Sequence, residues 1–466
     1  MRQLSRRTLL KAGLCTGAAA ALPASVLAEW RRAVLRGDAP RPYLDAALRA
    51  ERWIRSTAID TVHGRTWPAV PGDAKRGVPE PDLYSGAPGV VLFYLELHAA
   101  TGSRRFLEEA AVGAADIAHA IGAGETARGS AGLYEGLAGR TFAVWKVSQV
   151  AGDAKLSEAA RAGVAAIATA ARRAADGSVS WNDDYDIISG AAGTGLALLA
   201  MRSLRGDQAT DLARRAGDHL LKVSRAAGDG RRKWMANATF PREMPNFSHG
   251  TAGVAYFLAT LSQFGGESRH LDAARDGARY LQSIAVASGN GTVIRHHDGD
   301  GAGLFYLSWC HGPAGTARLW DRLDAIDHGG EWRKAEESGA RGLVAQGVPE
   351  RRTDGFWNNI SQCCGNAGVA EYFLSRFERT RLPSDLAMAR RMADDLLRRA
   401  TVDGDAERWV QAENRVSPAD VAAQTGWMQG AAGVGAMLLR LDAAVRGERY
   451  ARAAVFPDAP AGVANG

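Results

Sequence analysis

Two helical textures alternate along the chain. One is a short run that is apolar on nearly every side, as at 90–97, 254–261 and 434–441; the other is amphipathic, with apolar residues at three- and four-residue spacing, as at 106–121 and 271–284. The first predicts a helix buried all round, the second a helix with one face to solvent. Each apolar run opens at a Gly-x-x-Gly motif: Gly86/Gly89, Gly136/Gly139, Gly190/Gly193, Gly250/Gly253, Gly312/Gly315, Gly365/Gly368 and Gly430/Gly433, at intervals of 50 to 65 residues. A repeat is therefore a pair of helices that cannot bury its apolar face alone, and seven stacked pairs can.

The predicted fold is all-α: a seven-repeat (α/α) toroid over residues 40–450, with inner helices starting at the Gly-x-x-Gly turns and a flexible tail over 451–466. Helix starts crowd together at one end of a closed ring, and glycine allows that close approach. An open solenoid is the structural rival, but chemistry gathered at one end of distant repeats favours closure. A lone Gly-x-x-Gly carries no information, and no phosphate-binding Gly-x-x-x-x-Gly-Lys-Ser/Thr motif accompanies it.

Composition supports this picture. Alanine, glycine and leucine dominate and aromatics make up 7% of the 466 residues, which leans helical. The formal charge is +6, but Arg2, Arg6, Arg7 and Lys11 fall in the first 28 residues, which hold no acid. Without them the chain is near +2 (6 minus 4), which gives no reason to expect a nucleic acid or an anionic membrane as partner. The same 28 residues read Ser5-Arg6-Arg7-Thr8-Leu9-Leu10-Lys11, then a small apolar stretch ending Val26-Leu27-Ala28. This is the pattern of a twin-arginine export signal and predicts a periplasmic or extracellular protein. A closed ring buries its own core, so a monomer is expected.

Cys15 belongs to that leading segment, which leaves Cys310, Cys363 and Cys364. Three cysteines cannot all pair internally. Cys310 precedes the fifth glycine pair and Cys363-Cys364 the sixth, so a ring brings all three to one opening. Three thiolates suit zinc, with a fourth position left for water or substrate. A vicinal disulfide between Cys363 and Cys364, or three buried core thiols, remain open alternatives at this level. His249 stands before the fourth glycine pair, in a place that reads as matching the cysteines, and is a candidate general acid; Asp186, before the third, is a candidate partner for it or part of a capped turn with Asp183 and Asp184. His311 could line the site. His296-His297-Asp298-Gly299-Asp300 reads as a solvated turn between repeats.

Trp309-Cys310-His311-Gly312, Cys363-Cys364-Gly365-Asn366-Ala367-Gly368 and Ser248-His249-Gly250, set among seven glycine pairs, resemble the lanthionine synthetase C family across residues 40–450. The resemblance implies that Cys310, Cys363 and Cys364 bind Zn2+, and that a thiol, ionised at the metal, adds to a dehydroalanine or dehydrobutyrine. It implies that His249 protonates the resulting enolate, and that Asp186 orients His249 or helps deprotonate the thiol. The substrate would be a dehydrated peptide or a small thiol such as glutathione. Tyr306 stands where dedicated cyclases often carry an arginine, and no dehydratase-like segment is present. A non-catalytic zinc toroid that binds peptides or thiols is the reading from another class. A carbohydrate hydrolase would need facing carboxylates, and the central positions offer thiols and a histidine instead.

Overall fold

The computed structural model describes residues 40–459 and 463, apart from 74–76, 78, 125–130, 241, 352–358 and 411–420. The twin-arginine segment at 1–28 lies outside those residues. Seven inner helices follow the seven glycine turns: α2 (Ala87–Thr101), α4 (Leu137–Ala151), α6 (Ala191–Ala200), α8 (Thr251–Ser262), α10 (Pro313–Asp327), α12 (Asn366–Thr380) and α14 (Ala431–Arg446). Six outer helices pair with the first six of them: α3 (Arg104–Gly122), α5 (Ala154–Thr169), α7 (Asp207–Val223), α9 (Ser268–Ser283), α11 (Glu331–Ala345) and α13 (Pro383–Arg399). A further helix from the other end of the chain, α1 (Pro42–Ser56), lies beside α13. Its Tyr43 donates to Asp394 of α13 at 2.7 Å, and its Arg49 reaches Glu407 at 2.7 Å.

The two helical textures sort as their patterns predict. In α8 every residue from Thr251 to Leu261 is buried, whereas α9 buries His270, Ala273, Ala274, Gly277, Ala278, Tyr280 and Leu281 and turns its other face to water. Each large inner side chain removed from water is worth roughly 1.5–3 kcal/mol, so the inner ring carries most of the hydrophobic stabilisation. Among the described residues no helix is long and apolar enough to cross a membrane.

The second glycine of a pair is a packing requirement. A Cβ on Gly253 would lie 2.1 Å from the Phe247 carbonyl oxygen of its own turn and 2.6 Å from the Ile187 side chain of the preceding one. Gly139 is confined in the same way by Leu133 and Leu83. Side chains larger than hydrogen would force neighbouring turns apart.

Those turns form a continuous circle of backbone hydrogen bonds. Tyr84, Tyr134, Ile188, Ser248, Cys310, Cys363 and Met428 each stand two residues before the first glycine of their repeat. Tyr84 N–H donates to the Tyr134 carbonyl at 3.1 Å, Tyr134 to Ile188 at 2.9 Å, and Ile187 to Ser248 at 3.1 Å. Ser248 donates to Cys310 at 2.9 Å, Cys310 to Cys363 at 3.0 Å, and Cys363 to Met428 at 2.9 Å. Met428 closes the circle on Tyr84 at 2.9 Å, and α14 packs beside α2. The chain is a closed toroid and not an open solenoid.

The C-terminal residues depart from the expected flexible tail. Ala454, Phe456, Ala459 and Val463 are buried, and so is Asp458, at 1% exposure. The rings of Phe456 and Trp427 lie 4.8 Å apart, and the Asp458 carboxylate is held by Trp309 and Arg318. The apolar residues after 450 fill space among the inner helices, which is why they are ordered.

Candidate metal centre

Because the backbone circle fixes one position in every turn but the third, where Ile188 accepts and Ile187 donates, the site can be built by register. Cys310 and Cys363 occupy the hydrogen-bonded position itself, as Ser248 does. Cys364, His249 and His311 stand one residue later, immediately before the glycine. The apparent match between His249 and all three cysteines is thus corrected: His249 shares the place of Cys364 and His311 only.

The circle brings the three cysteines together. Sγ of Cys364 lies 3.0 Å from Sγ of Cys310 and 3.3 Å from Sγ of Cys363, and all three atoms fall within 4.8 Å of one another. These separations exceed the roughly 2.05 Å of a disulfide, and all three are free thiols. All three line a cleft of about 380 Å³, Cys310 and Cys363 as buried residues and Cys364 half-buried. Burial opposes ionisation of Cys363, but hydrogen bonds from Cys310, Cys364 and Tyr84 and the nearby charge of His249 hold its thiol well below the ordinary range. Burial, then its role as donor to the other two sulfurs, pushes the Cys310 thiol well up. The inner helices begin at this face, and their unpaired N–H groups favour anionic sulfur.

Across the same cleft His249 Nδ1 meets Asp186 Oδ2 at 2.6 Å. Asp186 is buried, and its other oxygen accepts the N–H groups of Ser189 and Gly190, both at 2.9 Å. Four residues before the glycine is a turn-bracing position. Asp82 accepts from Ser85 N–H at 2.7 Å, and Ser361 Oγ from Cys364 N–H at 3.1 Å. One carboxylate thus fulfils both readings of Asp186, bracing its turn with Oδ1 and holding His249 with Oδ2. Burial lowers the His249 pKa, but the hydrogen bond and charge of Asp186 outweigh it and raise the value above that of a free histidine. Asp184 is engaged by Asn182 and Asn237, and Asp183 lies out towards Arg172, so neither joins the site.

Several cleft residues escape the sequence reading. The Tyr84 hydroxyl accepts from Gln429 Nε2 at 3.1 Å and hydrogen-bonds Cys363, and Glu135 lines the rim with its carboxylate on Ser189 Oγ at 2.9 Å. A register count from the glycines would have found all three, since each stands one or two residues before its first glycine. The His296–His297 stretch is corrected from a solvated turn: both rings are buried, joined Nδ1 to Nδ1 at 2.7 Å, and His297 Nε2 meets Asp300 at 3.0 Å. His296 lines the cleft, with its ring centroid 3.9 Å from that of His311 and 4.2 Å from that of Tyr306. His311 lines it as well and lies 3.4 Å from Ser248 Oγ through Nε2.

The donor set fits a thiophilic divalent cation. Three sulfurs converge from two adjacent turns, no lysine or arginine lines the cleft among the described residues, and one side of the trio is open. Such an arrangement can hold a metal, admit one further ligand, and present an imidazole backed by a carboxylate to whatever enters.

A family profile described as "Lanthionine synthetase C-like protein" matches residues 77–448. Among solved structures, a nisin cyclase aligns over 90% of this chain and 97% of its own at 15% identity, with a TM-score of 0.61. The Lin0763 protein from Listeria innocua aligns over 88% and 99% at 11% identity, with a TM-score of 0.50. A GH76A α-1,6-mannanase from a Salegentibacter species covers 87% and 99% at 11% identity, but its TM-score of 0.45 is too low to bear on the site. At these identities the likenesses establish the toroid and nothing finer. A sequence search of curated proteins gives no match.

Proposed function

The chain belongs to the lanthionine synthetase C-like family, and from that premise we propose that it joins a thiol to a dehydroamino acid, forming a thioether, with zinc held by Cys310, Cys363 and Cys364. The observation that carries this reading is the convergence of three free thiols on the cleft that His249 and Asp186 also line or brace. Zinc bound there would keep an incoming thiol ionised near neutral pH. The other steps fall to the chain's own residues. When the thiolate adds to the β-carbon of the acceptor, the electron pair moves onto the enolate, and the α-carbon must gain a proton. His249, kept protonated by Asp186, supplies it. Asp186 has one oxygen on two backbone amides and the other on His249, so we assign it to positioning and not to deprotonating the thiol.

By analogy with the nisin cyclase we take a dehydrated peptide as the acceptor, with a small thiol as the alternative donor. We further infer export from the Ser5–Lys11 pattern. Mass analysis of the protein outside the cytoplasm should give a chain starting near Glu29, and Arg6→Lys with Arg7→Lys should retain the uncleaved form inside. The function is tested by purifying the mature chain, measuring zinc per mole, and following thiol addition to a dehydroalanine peptide. About one zinc and turnover that depends on it are expected. Zinc without turnover would replace the enzyme by a binding protein, and no zinc under reducing conditions would remove the metal centre.

A further inference from the structure

The residues that end the described chain touch an inner helix or its turn in six of the seven repeats, and the segment just beyond the inner helix in the third. Tyr450 hydroxyl and Ala454 N–H both donate to Glu96 of α2, at 2.7 and 2.8 Å. The Phe456 ring lies 5.9 Å from Phe142 of α4 and 6.2 Å from Tyr134 of the second turn. The Val463 carbonyl accepts from Arg202 just beyond α6 at 2.6 Å, and the Ala459 carbonyl from Tyr256 of α8 at 2.9 Å. Arg318 of α10 donates to the Asp458 carbonyl at 2.8 Å, Arg452 pairs with Glu371 of α12 at 2.5 Å, and Phe456 packs on Trp427 of the seventh turn.

Two of these contacts lie directly behind the thiols. The buried Asp458 carboxylate accepts Trp309 Nε1 at 3.0 Å and Arg318 at 3.2 Å, and Trp309 is the residue before Cys310. Phe456 bears on Trp427, the residue before Met428, and the Met428 carbonyl receives the Cys363 N–H. The Cys310 backbone is already committed on both sides, to Cys363 and to Ser248, so a shift of Trp309 has no slack in which to dissipate.

We propose that residues 450–459 form a positioning strap for the metal centre, in which Asp458 acts through Trp309 on Cys310 and Phe456 acts through Trp427 on Cys363. The inference rests on the reading of the three cysteines as metal ligands. Groups that fix the orientation of metal ligands typically govern affinity by about 10- to 100-fold. Removing the Asp458 carboxylate leaves the buried Trp309 N–H and Arg318 without their shared acceptor, and the turn must move to satisfy them.

The test uses the mature full chain loaded with zinc or cobalt(II). Asp458→Ala and Phe456→Ala are expected to weaken zinc, measured by competition with a chromophoric chelator, by about tenfold or more, and to change the thiolate-to-cobalt charge-transfer band. Asp458→Asn, which keeps an acceptor for Trp309, should restore part of the affinity. Glu96→Gln is the control, since it loosens the strap far from the thiols; it should lower Tm while leaving affinity and band as in the wild type. If the Ala variants do not fold, Asp458→Asn and Phe456→Leu carry the comparison. Wild-type affinity and band in the folded Asp458 and Phe456 variants, with only Tm reduced, would overturn the strap's role. A wild-type chain that binds neither metal would instead overturn the metal reading beneath it.

Discussion

Turns five and six of the ring can be set against turns seven and one. All four use the same backbone hydrogen bond at the same register, yet the first two present Cys310, Cys363 and Cys364, and the other two present Met428, Gln429 and Tyr84. The shared part is what holds the toroid closed, and it makes no use of the side chains. Reactivity can therefore change at one or two positions per turn without touching the fold, as expected where function is grafted on a scaffold. Turns three and four add a second kind of chemistry, an imidazole and a carboxylate, by the same means.

Removing a thiol separates the two pairs of turns most sharply. Cys310→Ala or Cys364→Ala should take zinc from about one per chain to near none and abolish thiol addition, while the metal-free proteins keep the far-ultraviolet signature of a folded toroid. Ser248→Ala, at the register of Cys310 in turn four, should retain the zinc. Equal zinc in all three proteins would mean that the sulfurs are not the ligands.

Next comes the acid. His249→Ala should leave zinc content unchanged and lower the rate by about 10²- to 10⁴-fold. Asp186→Asn should cost less, because an amide can still brace the turn, but it should move the pH profile. Asp186 raises the His249 pKa, so the imidazolium form and the stability it shares with Asp186 are fully present below the ordinary histidine value and are lost as pH rises through the raised one. In Asp186→Asn the alkaline fall in rate should therefore begin at lower pH. An unmoved profile would assign the proton to another group.

Much of this arrangement is legible in the residues themselves. Seven glycine pairs at helical-hairpin spacing define both the inner ring and its closure, because a Cβ at Gly253 or Gly139 has nowhere to go. The thiols could be grouped for the same reason. What does not show in one dimension is how a turn aims adjacent residues, so Cys363 and Cys364 look equivalent although both line the cleft and only Cys363 sits in the backbone circle, Cys364 being the more exposed and sharing the register of His249 and His311. The His296–His297 pair hides among Asp298, Gly299 and Asp300, residues that usually mark solvated turns; burial against Tyr306 and His311 is a tertiary fact. The strap after residue 450 is short and only modestly apolar, and its order comes from partners spread over the whole ring. The ring geometry sets a further expectation, smaller than those above: Gly253→Ala should cost roughly 3 kcal/mol or more in stability, read from chemical denaturation, because the clash is with backbone. A neutral result would show that adjacent turns can part without loss.

The smallest effect lies at the boundary between the two pairs of turns, where Tyr84 of turn one reaches the Cys363 sulfur of turn six. Its hydroxyl already accepts from Gln429, which leaves its own proton to donate to sulfur. A hydrogen bond to an ionised group stabilises that form by about 1.5–3 kcal/mol, so losing it should make Cys363 harder to ionise. Tyr84→Phe removes only that oxygen. In the metal-free, reduced protein, the thiolate absorbance that appears first on raising pH should emerge at higher pH than in the wild type, while Gln429→Ala, which removes the donor to the tyrosine oxygen and not the tyrosine proton, should shift it less. Coincident titrations in all three proteins would mean that the thiols in turns five and six set their own ionisation, and that turn one contributes backbone to the site and nothing more.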